Sequence, residues 1–244
     1  MKTSISALSA VVALATLPGA AFADLAFNVG AVSDYRYRGI SQTRLKPAVQ
    51  GGLDFTSGGL YLGAWASNIK WVKDFGGDAN VEIDLYGGYK GEIVKDTLSY
   101  DFGVLTYQYP GNKLKDITGA NANTTEIYGA LTYGPATLKI SKSVTDTFAN
   151  PDSKSSYYID FSAGFDVGGG LMLTPHVGYQ KIGGPFSDLG TYTDYALTLS
   201  KDFSGLVVSA AVIGTDADKA FYSSPVNGKE LGKATVVVGV KYNF

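Results

Sequence analysis

The sequence predicts an all-β protein, an antiparallel transmembrane β-barrel of about twelve strands. Three observations support this prediction. The last nine residues alternate between apolar and polar or small side chains, similar segments recur along the chain, and the connections between them alternate in length. A period of two is typical of strands, and in membrane barrels it separates lipid-facing from lumen-facing side chains.

The terminal strand shows this alternation most clearly. Its apolar positions are Val236, Val238, Val240, Tyr242 and Phe244, and its other positions include Gly239, Lys241 and Asn243. An apolar face that ends in aromatic residues suits a barrel wall in contact with lipid. Bacterial outer-membrane barrels typically finish on Phe, so this strand also predicts recognition by the barrel-assembly machinery through Phe244.

The other end of the sequence predicts export. Lys2 precedes a short apolar run, Ile5–Leu17, and Ala21–Ala23 forms an A-x-A cleavage site. This pattern is typical of a signal peptide, because a spanning helix needs roughly 20 apolar residues. We therefore predict a signal peptide over residues 1–23 and one outer-membrane barrel over residues 24–244.

Composition narrows the class of protein. The 244 residues carry a net charge of −2, which gives no basic footprint for nucleic acid. The chain has no Cys, so disulfides cannot stabilise an exported fold. Gly 31, Tyr 17 and Phe 12 favour many strands with aromatic rims.

Twelve segments alternate in the way strands do. In chain order they are Leu25–Arg38, Ala48–Phe55, Leu60–Ile69, Asn80–Lys90, Thr97–Tyr109, Thr125–Tyr133, Thr137–Val144, Tyr157–Val167, Leu171–Gln180, Tyr192–Lys201, Leu206–Gly214 and Ala234–Phe244.

The connections between these segments are short and long in turn. The short ones are Thr56–Gly59, Gly91–Asp96, Gly134–Ala136, Gly168–Gly170 and Asp202–Gly205, most of which contain the glycine of a hairpin turn. The long ones are Gly39–Pro47, Lys70–Ala79, Pro110–Asn123, Thr145–Ser155, Lys181–Thr191 and Thr215–Gly232. Such sorting predicts periplasmic turns, external loops and both chain ends on the periplasmic side.

Strand parity predicts which charged side chains face the lumen. A charged side chain facing lipid would cost about 2–4 kcal/mol near the middle of the bilayer, so the charged positions are expected inside. The candidates for the lumen and its ion selectivity are Arg36, Arg38, Asp54, Glu82, Asp84, Asp101, Glu126, Lys139, Asp160 and Asp194, with Lys90, Asp166 and Lys241 also inward.

Two interpretations of these charges stay open. They either pair across the interior and only hold the barrel's shape, or a subset lines a water path and sets ion preference. Arg36 and Arg38, on the upper part of the first strand, are the first choice for that subset. An acidic wall of Glu82, Asp84 and Asp101 opposite them would create a transverse field.

Aromatic residues near the predicted strand ends favour membrane girdles, since amphipathic rings settle at the headgroup level. They are Tyr35, Tyr37, Trp65, Trp71, Tyr89, Tyr107, Tyr109 and Tyr242. A stacking platform for sugars would need the same residue types, and their spacing does not select it.

The single histidine, His176, follows Pro175 on the inward parity. Barrel enzymes of the outer membrane combine a serine with a histidine, and Ser162 or Ser200 would have to approach it. A lone histidine is more often a lumen residue, so the protein is predicted not to be an enzyme. No metal spacing, phosphate loop or nucleotide fingerprint is present, and no cofactor is predicted.

The first half of the predicted mature chain resembles a known family. The resemblance is carried by VSDYRYRGISQT from Val32, PAVQGGLDF from Pro47, GLYLGAWASNI from Gly59, EIDLYGGYKGE from Glu82 and YDFGVLTYQYPG from Tyr100, and more loosely by TEIYGALTYG from Thr125. In these stretches the chain resembles the TorF-like family of proteobacterial outer-membrane porins. The resemblance implies a porin and no particular substrate, catalytic residue or binding residue.

The leading hypothesis is a channel for passive diffusion of ions or small polar solutes through the outer membrane. The alternatives are a barrel enzyme acting on lipid, with His176 as base, and a structural or adhesive barrel without a conducting pore. The expected partners are outer-membrane lipid and small solutes, and the oligomeric state stays open.

Overall fold

The chain folds into one closed antiparallel barrel of twelve strands, as the sequence predicts. The computed structural model describes residues 23–244, so the predicted signal peptide, apart from Ala23, lies outside the described residues. The barrel strands are β1 (Asp24–Val32), β4 (Ala48–Ser57), β5 (Leu60–Asn68), β6 (Val81–Val94), β7 (Leu98–Gln108), β8 (Thr124–Tyr133), β9 (Ala136–Ser143), β10 (Tyr157–Ala163) continued by β11 (Phe165–Asp166), β12 (Leu171–Lys181), β13 (Tyr192–Phe203), β14 (Leu206–Thr215) and β15 (Thr235–Asn243).

Two contacts close the barrel. Strand β10 pairs with β12, and β1 pairs with β15. Beyond the ends of that last pairing, the backbones of Phe27 and Phe244 exchange hydrogen bonds of 2.8 and 3.0 Å. Closure leaves no sheet edge, which a barrel needs in hydrocarbon because every backbone group must be paired there. The pairing of β1 with β15 joins the first and last strands of the barrel.

Burial follows the alternation that the sequence predicts. In β15, Val236 and Val238 are 62% and 52% exposed, whereas Val237 between them is 3% exposed and faces the interior. Large apolar side chains are exposed in the same way on the outer faces of the other barrel strands. A continuous apolar exterior of this extent is stable against lipid rather than water.

The two rims differ as predicted. Five short turns lie at one rim together with both ends of the described chain, and six long connections lie at the other. The long connections contain three short α-helices, α1 (Trp71–Asp74), α2 (Leu114–Thr118) and α3 (Ser187–Gly190), and one 3₁₀ turn, Gly184–Phe186. None of the helices in the described part of the chain combines the length and hydrophobicity that crossing a bilayer requires.

The first predicted strand is too long. Strand β1 ends at Val32 rather than Arg38, and residues 33–47, called loop 1 below, fold inward with a small hairpin of β2 (Arg36–Tyr37) and β3 (Ile40–Ser41). The turn residues Arg38 and Gly39 both have positive φ, 46° and 79°, as in the tight turns that join antiparallel strands. A Cβ at Gly39 would collide with Thr215, so only glycine fits there.

The apolar core gathers at the long-loop rim, beneath the loops. Ile69, Val72 and Leu114 are fully buried there and pack with the end of β1 and with Tyr107 and Tyr109. Loop 1, α1 and α2 therefore rest on a common packed base. This base fixes where the tip of loop 1 enters the lumen.

Candidate lumen site

The lumen contains a cavity of about 250 Å³. Its lining comes from loop 1 and from β1, β4–β10, β14 and β15. Loop 1 reaches it from the long-loop rim, and the tip of its hairpin narrows the passage. We call the level of this tip, around Arg38, Glu82, Asp84 and Glu126, the constriction.

Arg38 occupies the tip of the loop 1 hairpin. Its guanidinium Nη2 donates to Glu126 Oε2 at 2.7 Å, and Nη1 donates to the Gln180 side-chain oxygen at 2.5 Å. The guanidinium also lies 4.8 and 4.2 Å from the ring centroids of Tyr37 and Tyr158. A buried arginine held by an acid, an amide and two ring faces is fixed in place.

Arg36 also lines the cavity, but its partners differ from those of Arg38. Its Nε donates to Asp34 at 2.6 Å, and its Nη1 donates to the backbone oxygens of Gly39 and Leu231 at 2.9 and 2.7 Å. Arg36 therefore ties loop 1 to the last long connection. The predicted position of Arg36 and Arg38 on the upper part of the first strand is wrong, because β1 ends at Val32 and both residues belong to loop 1.

Three acids line the constriction. Glu82 accepts a 2.6 Å hydrogen bond from the Tyr35 hydroxyl, and Glu126 accepts the bond from Arg38. Burial raises the pKa of the Tyr35 phenol well above its usual value, and the nearby carboxylates of Glu82 and Asp84 raise it further, so the hydroxyl stays a donor. Both oxygens of Asp84 are buried without a hydrogen-bond partner among the described residues.

Between the constriction and the short-turn rim, acids accept hydrogen bonds from tyrosines, and the lysines form no ion pairs. Asp54 accepts from Tyr86 at 2.5 Å, and Asp101 accepts from Tyr61 at 2.6 Å. The cavity-lining lysines Lys90, Lys139 and Lys241 belong to none of the ion pairs of the described residues. The Lys139 ammonium instead lies 3.8 Å from the centroid of the Tyr128 ring.

His176 faces the lumen, in a cluster of acids and a tyrosine. Its Nε2 lies 3.1 Å from the Tyr158 hydroxyl, 3.2 Å from Asp194 Oδ1 and 3.7 Å from Asp160 Oδ2. Ser162 is its cross-strand neighbour on β10, but the hydrogen-bond partner of Nε2 is Tyr158. Ser200 instead pairs with Met172, four residues away from His176 along β12.

Several aromatic predictions are wrong. Tyr35, Tyr107 and Tyr109 are buried, Tyr37 packs between Tyr107 and Phe148, and none of the four lies in a lipid-facing girdle. Trp65 lines the lumen and Trp71 packs on Tyr109. Only Tyr89 and Tyr242 of that set are exposed on the outer face. Trp65 and Tyr107 share the inward parity of Asp84, their cross-strand partner, and pack with the loop 1 rings in one core inside the barrel.

One acidic prediction is also wrong, and several lumen residues were missed. Asp166 is exposed at a turn, where it accepts from the Gly168 backbone at 2.8 Å. Tyr61, Tyr86 and Tyr158 share the inward parity of the acids and could have been found from it. Gln180 also has that parity, but its partner Arg38 comes from a loop and leaves no signal in the strand pattern.

A closed barrel with an apolar exterior and a charged, partly hollow interior defines a transmembrane β-barrel of the porin-like class. The chain belongs to the family described as "Bacterial protein of unknown function (Gcw_chp)", whose model matches residues 18–244. The finer resemblance to the TorF-like family is not confirmed by this match. No curated protein is significantly similar to the sequence.

Solved structures share the fold. The KdgM porin in complex with disordered oligogalacturonate is 9% identical with a TM-score of 0.55, and the NanC porin is 10% identical with a TM-score of 0.54. Each comparison covers 91% of this chain and 99% of the other. LpxR from Salmonella typhimurium, 10% identical, has a TM-score of 0.47 over 90% of this chain and 99% of its own. At such identities the likeness concerns the fold alone.

Proposed function

We propose that the protein is an outer-membrane channel through which ions or small polar solutes diffuse passively. The observation that supports it most directly is the cavity of about 250 Å³ inside the barrel, lined by charged and hydroxyl-bearing side chains. Residues that only braced a filled barrel would pair with one another, whereas Lys90, Lys139, Lys241 and Asp84 face the cavity without such partners. The KdgM porin, which shares the fold, is described with an oligogalacturonate.

The constriction restricts the size of the solute. Arg38 and the aromatic side chains of loop 1 occupy the lumen at the level where Glu126 and Gln180 hold them. Twelve strands lie between small filled barrels and wide aqueous porins, so loop 1 decides the free diameter. A low unitary conductance is therefore expected.

The location follows from the same proposal. The exterior suits lipid, and the predicted signal peptide directs the chain out of the cytoplasm. We place it in the outer membrane with the long connections outside, assembled through the strand that ends at Phe244.

Planar-bilayer recording on refolded protein tests the channel. A shift in gel mobility on heating first establishes that the barrel has folded. Discrete, small conductance steps are expected in potassium chloride. Folded protein that gives no steps above the background of the detergent alone would contradict the proposal and favour a structural barrel.

The enzyme alternative has its own test. It requires His176 to act as a base on lipid, although its imidazole is nearly buried and faces the lumen. A lipid hydrolase activity of the folded protein that disappears in His176→Ala would replace the channel proposal. Absence of hydrolysis, or activity unchanged in that variant, would remove the alternative.

A further inference from the structure

Asp84 differs from the other acids of the lumen. Its side chain is 2% exposed, it lines the cavity, and it is the one carboxylate within residues 23–244 whose two oxygens are both buried and unpartnered. A buried charge without hydrogen bonds is costly, and native proteins rarely retain one without a partner.

The neighbouring donors already serve other acceptors. Arg38 uses its two terminal nitrogens on Glu126 and Gln180. The tyrosine hydroxyls donate elsewhere as well: Tyr35 to Glu82 at 2.6 Å, Tyr86 to Asp54 at 2.5 Å and Tyr107 to Glu126 at 3.4 Å. Asp84 therefore has no hydrogen-bond donor among the described residues, and a donor from outside would complete it.

The constriction contains more acidic than basic side chains, which favours a cationic ligand. Glu82, Asp84 and Glu126 are there as acids, while Arg38 supplies one positive charge and is paired with Glu126. No lysine nitrogen of the described chain lies within 4 Å of Asp84. A ligand that brings both positive charge and N–H donors would complete the site.

The surroundings of Asp84 favour an organic cation. Its cross-strand partners are Trp65 on β5 and Tyr107 on β7, so aromatic rings flank the carboxylate on both sides. Aromatic faces attract ammonium and guanidinium groups. No cluster of three or more residues suited to holding a metal ion occurs among residues 23–244.

We infer that Asp84, with Trp65 and Tyr107 beside it, is the binding site for a small organic cation carrying a primary ammonium or guanidinium group. The carboxylate accepts the N–H groups, and the rings cover the charge. This inference deepens the proposed channel by naming the class of solute that passes the constriction. Binding itself does not require conduction, so the two can be tested separately.

Fluorescence titration of the refolded full chain in detergent tests the site directly. The chain has two tryptophans, Trp65 and Trp71, so Trp71→Phe leaves Trp65 as the only reporter, directly across from Asp84. Putrescine is the cationic probe, butanediol its neutral analogue and succinate an anion. A saturable change with putrescine alone is expected, and Asp84→Asn should weaken it at least about tenfold, or 1.4 kcal/mol.

Matched variants decide the interpretation. Asp166→Asn makes the same chemical change at an exposed turn and should leave the affinity unchanged. Equal affinity in Asp84→Asn, or equal responses to putrescine, butanediol and succinate, would overturn the inference. If Trp71→Phe does not fold, the wild-type chain and Asp84→Asn are compared with both tryptophans present, and the same outcomes apply.

Conductance separates this inference from the proposed function. A channel that conducts potassium chloride but whose Trp65 does not respond to putrescine keeps the proposed function and refutes the site. A protein that binds putrescine through Asp84 but does not conduct keeps the site and refutes the proposed function. Where both hold, putrescine should reduce the potassium current in the wild type and not in Asp84→Asn.

Discussion

Two walls of the lumen follow the same alternation but differ in how many charged side chains they carry. The wall formed by β6, β7 and β8 presents Glu82, Asp84, Tyr86, Asp101, Tyr107, Glu126 and Tyr128. The wall formed by β14, β15 and β1, called the apolar wall below, presents mostly small or apolar side chains, Gly30, Val32, Val207, Ser209, Ala211, Ile213, Val237 and Gly239, together with Asn28 and Lys241. Alternation decides which side chains face inward, and it does not decide what they are.

The electric field across the lumen differs from the predicted one. The predicted field ran from arginines on one wall to acids on the other. Arg38 instead lies among the acids, 2.7 Å from Glu126, and the apolar wall carries a single charged side chain at the cavity, Lys241. A passing solute therefore meets several charges and tyrosine hydroxyls on one side and mostly small or apolar side chains on the other.

Removing the arginine from the charged wall should have the largest effect. Arg38→Met leaves Glu126 buried without its partner, which costs about 3–5 kcal/mol when one member of a buried pair is lost. Urea unfolding in lipid, followed by tryptophan fluorescence, measures this cost. The hairpin tip should also be released, so the unitary conductance should rise.

Two controls sharpen this prediction. The double variant Arg38→Met with Glu126→Leu should recover most of the stability, because both charges are then removed together. Arg44→Met breaks a more exposed pair, with Asp74, on the same loop and should cost much less. If Arg38→Met alone unfolds with the same free energy as the wild type, the pair of Arg38 with Glu126 does not stabilise the constriction.

Lysine substitutions on the apolar wall should have an intermediate effect that depends on parity. Val208 is exposed to lipid and its neighbour Ser209 faces the lumen. Val208→Lys should lower the free energy of unfolding by about 2–4 kcal/mol near the bilayer middle, and Ser209→Lys by less than half as much. Equal losses in the two variants would contradict the assignment of the two faces.

Ser209→Lys also tests the asymmetry of the lumen. It introduces a positive charge opposite the acids, so the ratio of cation to anion permeability should fall. Reversal potentials in a potassium chloride gradient measure the ratio. An unchanged ratio would mean that the apolar wall does not border the conducting path.

Removing one unpaired lysine should have the smallest effect. Lys139 lines the cavity and stacks on Tyr128, and Lys139→Gln should raise cation over anion permeability by about twofold, since one screened charge is worth a fraction of 1 kcal/mol. Lys142→Gln, on the outer face of the same strand, should leave the ratio unchanged. A larger change in Lys142→Gln than in Lys139→Gln would reverse the interpretation.

Most of the barrel could be predicted from local pattern. Eleven of the twelve predicted strands lie within a few residues of those observed, because lipid outside and a polar lumen inside impose a period of two on every strand. The exception is the first strand, where Asp34, Arg36 and Arg38 continue the alternation after β1 has ended. There the buried Asp34 carboxylate accepts from Arg36, Ser41 and Thr43 and folds loop 1 inward.

The candidate site was predictable only in part. Parity placed Glu82, Asp84, Glu126 and Asp194 inside, and all four are buried. It did not indicate that Tyr35, Tyr107 and Gln180 would satisfy their neighbours, or that Asp84 would be left without a donor. These contacts join residues far apart in the chain, and no spacing within one strand encodes them.

The sequence by itself determined the class of fold, the order of turns and loops, and the face on which each strand residue lies, since all three depend on interactions between near neighbours and the membrane. Tertiary structure alone decided that loop 1 enters the lumen, that Arg38 joins the acids, and that Asp84 remains unpaired. Those outcomes depend on barrel closure, which brings Glu126 on β8 and Gln180 on β12 within reach of one arginine from a loop.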